Sequence, residues 1–215
     1  MHPIDRAASW LFRFGPSSLK VFREGWGDEG LIASLDTSAE LEATPELDID
    51  WGDQSTEAGL AIRDGSFLSP APHLPELSRL AHIRMVLPTE ADGRLVVMMA
   101  AWNDHGYATR TGLAALLVER GLTAVMLENP FYGSRRPRPD QPIRTVADFA
   151  VMGRAAVLEG RALLKHFAPD HTAFQYIRFI HGSEVPSSCT GEGEGVVRNP
   201  PDLVLGVNLG IGAAA

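Results

Sequence analysis

Two short stretches of this chain carry residues that could do chemistry. The first is Asn103-Asp104-His105-Gly106, which follows an apolar run and precedes a helical pattern. Backbone amides at such a strand-to-helix junction, aided by the helix dipole, can stabilise an oxyanion. A glycine there lets the backbone come close to a ligand. The plainer reading is that His105 only hydrogen-bonds its own turn. The second stretch, Glu128 to Arg135, has a carboxylate, a proline, Tyr132 and a glycine after another apolar run. It reads as a turn that Glu128 pins by pairing Arg135 or Arg136. Arg135, Arg136 and Arg138 could hold an anionic substrate, or form a solvated basic loop. Cys189 is the only cysteine, in a Ser-Ser-Cys-Thr run with no base beside it, and an intrachain disulfide is therefore impossible.

The elements that must position these stretches are legible around them. Leu95 to Ala101 is an uninterrupted apolar run between turn formers, the pattern of a strand buried on both faces. From Tyr107 to Arg120, Leu113, Leu116 and Leu117 recur at helical spacing, and Gly121 supplies the stop. Thr123 to Leu127 is a second buried strand. Strand, helix and strand make a βαβ unit with parallel strands and a right-handed crossover. Ligands sit beyond the carboxyl ends of such strands, where both loops emerge.

The remainder is organised around that unit. Leu60 to Leu68 suggests a hairpin with Asp64-Gly65 at its tip. His82 to Leu87 alternates and predicts an antiparallel strand near the sheet edge, closed by Pro88. Thr145 and Asp148 are spaced as an N-cap and its third-position carboxylate, opening a helix whose stripe is Phe149, Met152, Ala156, Leu163 and Phe167. Phe174 to Ile180 predicts a third parallel strand. Ile4 to Phe22 reads as two short helical pieces broken at Gly15-Pro16-Ser17-Ser18, ending at Gly25-Trp26-Gly27.

The chain has 215 residues and a net charge of -8, which suits one domain and argues against affinity for nucleic acid. Asp36 to Glu57 holds eight acidic residues and no basic one, the composition of a solvated loop. The alternative is a cover that repels anions from a nearby cleft. There is no window for a transmembrane segment, and Phe12-Arg13-Phe14-Gly15-Pro16 interrupts any signal peptide, so a cytoplasmic location is expected. No cofactor or metal site is evident. Gly191 to Gly195 lacks dinucleotide-binding spacing, and its glutamates would repel a pyrophosphate.

The motifs together carry a family likeness. His105-Gly106, then a helix, a strand and an acid-x-Pro-x-x-Gly block, resemble the front half of an α/β-hydrolase. More closely, the chain is similar in order and spacing to the α/β hydrolase domain-containing protein 18 family over roughly residues 20 to 167. The shared blocks are Gly25-Trp26-Gly27, Asp64 to Pro70, Asp104 to Tyr107, Glu128-Asn129-Pro130-Phe131-Tyr132-Gly133, and Val146-Ala147-Asp148 with Val151-Met152-Gly153. The resemblance implies an α/β fold with a mostly parallel sheet and flanking helices. It also implies esterase ancestry and a small ester or acyl substrate.

It further implies a Gly-x-Ser-x-Gly nucleophile elbow after the long helix, where glycines relieve a strained turn. Only Ser183 stands near that place, with His181 two residues before it and Val185 two after. Val185 is β-branched, and Pro186 disfavours a helix starting there. His166, His171 and His181 do not match the family's catalytic position. Residues 1–167 are therefore expected to form the N-terminal part of the hydrolase domain. Residues 168–215 read as truncated, frame-shifted or repurposed, and Ser183 is the one candidate nucleophile. An incomplete sheet predicts an exposed edge and self-association.

Overall fold

The computed structural model describes residues 22–35, 45–101, 104–140, 142–170 and 173–178. Within them, six strands form one sheet in the order β1-β2-β3-β5-β4-β6. The strands are β1 (Asp50–Glu57), β2 (Leu60–Leu68), β3 (Leu80–Leu87), β4 (Arg94–Met99), β5 (Thr123–Leu127) and β6 (Ala173–Arg178). Three helices accompany them: α1 (Glu29–Ser34), α2 (Ala108–Val118) and α3 (Val146–Phe167). The expected βαβ unit is present, with β4 parallel to β5 and to β6. The expected mostly parallel sheet is corrected to a mixed one among the described residues, because β1–β2, β2–β3 and β3–β5 pair antiparallel.

From Leu95 to Met99, β4 is apolar because both its faces are covered. Leu95, Val97 and Met99 point into a cluster closed by Leu163 and Phe167 of α3. Val96 and Met98 point the other way, into a cluster with Ala114 of α2. Side chains alternate along a strand, so a stretch clad on two sides has no polar position left, and the charged Arg94 stands at the exposed start. A third cluster joins the first half of α3 to Phe131, Tyr132, Ile143, Ala71 and Leu74.

The start of α3 follows from local chemistry. Thr145 accepts from the Asp148 amide while the Asp148 carboxylate accepts from the Thr145 amide, a complete capping box. The carbonyls of Gly25 and Trp26 accept from the next two amides, Val146 and Ala147, at 3.0 Å each. The Gly25-Trp26-Gly27 segment is thus a backbone cover for the first turn of α3. A Cβ on Gly27 would stand 2.8 Å from the Thr145 side chain, so a larger residue would lift the cover off the helix.

Three further expectations are corrected. Leu60 to Leu68 is one continuous strand, and the hairpin turns at Ala58-Gly59, whose φ values are 50° and 81°. Asp64 sits opposite Arg84 in the β2–β3 register and binds its guanidinium through both oxygens, at 2.7 and 2.9 Å. Gly65 makes room for Trp51, whose ring would be 2.7 Å from a Cβ there. Second, β3 is antiparallel as expected but interior, because the β1–β2 hairpin adds outside it. Third, the acidic stretch is not all loop: residues 50–57 form edge strand β1, exposed along nearly its whole length. Acidic side chains on an edge discourage pairing with another chain. The N-terminal helical pieces and residues 36–44 lie outside the described residues.

Candidate functional site

The loops after β4 and β5 leave the same end of the sheet, and each is held by a buried arginine. Asp104 is buried and accepts from Thr109 Oγ1 at 2.8 Å and from Arg110 Nε at 2.9 Å. Arg110, on the first turn of α2, is 1 % exposed. Its Nη1 donates to the carbonyls of Met98 and Leu127 at 2.8 Å each, and its Nη2 to the Gly106 carbonyl at 2.6 Å. One guanidinium therefore ties the carboxyl ends of both parallel strands to the loop between β4 and α2. Burial pulls the Arg110 pKa down, while Asp104 opposes it, and the group stays charged.

Gly106 has a φ of +78°, where glycine is the natural occupant. Next to it, Tyr107 lies between two cations, Arg84 at 5.1 Å and Arg110 at 5.8 Å from its ring centre. Burial pushes its phenol well above the ordinary tyrosine range, and the Glu128 and Asp64 carboxylates add to the shift. His105 is exposed, and its ring meets buried Tyr132 edge-on at 5.2 Å.

Glu128 pins the second loop, but through Ser134 rather than an arginine. Its carboxylate accepts from the Ser134 amide at 2.9 Å and from Ser134 Oγ at 2.5 Å. Asn129 reaches across to the Ala101 carbonyl at 3.0 Å and joins the two loops. The expected pairing of Glu128 with Arg135 or Arg136 is thereby corrected.

Arg135 is corrected further. It is completely buried, so it is neither a solvated cation nor a contact for an anionic substrate. Its Nη2 and Nη1 bind Glu159 of α3 at 2.5 and 2.9 Å. The same Nη1 also donates to the Glu128 carbonyl, and Nη2 and Nε donate to the Ser78 carbonyl. Ser78 Oγ donates to the Arg135 carbonyl, and Ser69 Oγ to Glu159. The pair locks the second loop to α3 and to the proline-rich segment 69–78.

Gly133 shows how tightly this loop is built. A Cβ there would stand 1.8 Å from Glu128 Oε1 and 2.7 Å from its carboxyl carbon, at a φ of +56°. The Gly106 amide would be 3.3 Å away. Gly133→Ala must therefore displace the carboxylate from Ser134 and adopt an unfavourable backbone angle. We expect it to cost about 1–3 kcal/mol, read as a lower urea midpoint at unchanged slope. An unchanged midpoint would contradict the packing.

Of the residues expected at the site, Asp104, His105, Gly106, Glu128, Tyr132 and Arg135 come together at this end of the sheet. Asn103 and Ser183 lie outside the described residues. Arg110 and Glu159 were not anticipated. Both fall on apolar stripes, Arg110 with Ala114 and Glu159 with Met152, Ala155 and Leu163. A charge on a helix face destined for burial is the signal that marks them. Among the described residues, no cluster of three or more His, Cys, Asp or Glu side chains could hold a metal ion. No described helix is long and apolar enough to cross a membrane.

The sheet order, the clad parallel strands and the two loops at their carboxyl ends define an α/β-hydrolase-like fold. Residues 19–171 match the family described as alpha/beta hydrolase domain containing 18, and the chain belongs to that family. Among solved structures it is similar to an acetyl xylan esterase from Paenibacillus sp. R4, at 12% identity and a TM-score of 0.46, over 79% of this chain and 55% of that one. A cold-adapted esterase from an Arctic intertidal metagenomic library aligns at 17% identity and a TM-score of 0.40, over 60% and 55% of the two chains. Acetyl xylan esterase 1 from Thermoanaerobacterium sp. JW/SL YS485 aligns at 11% and 0.41, over 69% and 49%. The chain spans about half the length of these proteins.

Proposed function

We propose that this chain is a hydrolase-like protein of esterase ancestry that has no serine-hydrolase activity of its own. The observation that carries this reading is the use made of the charged groups at the carboxyl ends of β4 and β5. Asp104 is spent on Arg110 and Thr109, Glu128 on Ser134, and Arg135 on Glu159. An activated serine needs a base within hydrogen-bond reach, itself held by a third group. His105 packs on Tyr132 instead of a carboxylate. No Gly-x-Ser-x-Gly occurs anywhere in the 215 residues. The Asp104 amide already donates to the Ala101 carbonyl, so the amides of His105 and Gly106 are what the first loop would offer to the carbonyl of a small ester or acyl ligand.

A fluorophosphonate probe tests this reading. The expected result is no labelling of the 215-residue chain and none of its Ser183→Ala variant. Labelling of the parent that disappears in the variant overturns the proposal and restores an ester hydrolase with Ser183 as nucleophile.

Self-association belongs to the same proposal. β1 carries acidic residues and a shift in register between Trp51 and Gln54, both of which guard an edge, whereas β6 closes the described sheet at its opposite side. We expect light scattering on the same preparation to give a mass above one chain that rises with concentration. A constant monomer mass would refute it.

A further inference from the structure

We draw no further inference here: the strongest candidate, the exposed leucine patch of Leu68, Leu77 and Leu80 beside the carboxyl ends of the parallel strands, carries none because nothing in the structure shows what covers it.

Discussion

Arg135→Met will cost about 3–5 kcal/mol, because it strands the Glu159 carboxylate in an interior site with the Ser69 hydroxyl as its remaining partner. A small domain has only about 5–15 kcal/mol in total, so the variant should sit near the edge of folding at 25 °C. Both side chains are 0% exposed, and screening by solvent cannot soften the loss. The decisive comparison is the double variant Arg135→Met/Glu159→Leu. Removing both charges abolishes the desolvation penalty together with the attraction, so it should recover most of the loss. Recovery stays incomplete, because the carbonyls of Ser78 and Glu128 lose the donors Arg135 supplied. Urea unfolding of both variants beside the parent measures all of this. A single variant within about 1 kcal/mol of the parent would show that the pair is not the lock described here.

Arg110 should be comparably intolerant, with an effect more local to the first loop. Arg110→Met leaves the Asp104 carboxylate with Thr109 as its remaining partner and takes a donor from the carbonyls of Met98, Leu127 and Gly106. Breaking such a buried pair costs about 3–5 kcal/mol. Lysine keeps the charge but not the fork. A single ammonium has three donors on one atom and cannot span acceptors that two arms and the Nε now reach. Arg110→Lys is therefore expected to regain less than half the loss. Amide exchange over residues 104–108 should accelerate in both variants more than exchange in β2 or β3. Full restoration of stability and protection by lysine would show that charge alone is needed there.

These two arginines mark the boundary between what local sequence determines and what long-range packing decides. The βαβ unit was legible because its causes lie within a few residues. Apolar runs such as Leu95–Ala101 demand cover on both faces, Gly121 stops a helix at a φ of +81°, and Thr145 with Asp148 caps one. The parallel pairing of β4, β5 and β6 followed from the length of the crossovers. The family blocks identified the two loops, and both stand at the same end of the sheet.

Elsewhere the local signal was ambiguous, and the sheet settled it. Asp64-Gly65 has turn chemistry, yet Asp64 finds Arg84 across the ladder and Gly65 yields its space to Trp51, so the strand runs straight through. The interior place of β3 depended on a hairpin formed by an acidic segment that, by composition, reads as loop. The roles of Arg110, Arg135 and Glu159 were decided only by tertiary contact. Ser69 and Glu159 are 90 residues apart and Arg135 and Glu159 are 24 apart, distances at which no periodicity or spacing couples two positions. A charged side chain in a loop or on a helix is solvated by default. It becomes a buried tie only when separate elements close around it and present enough carbonyls and carboxylates to replace water.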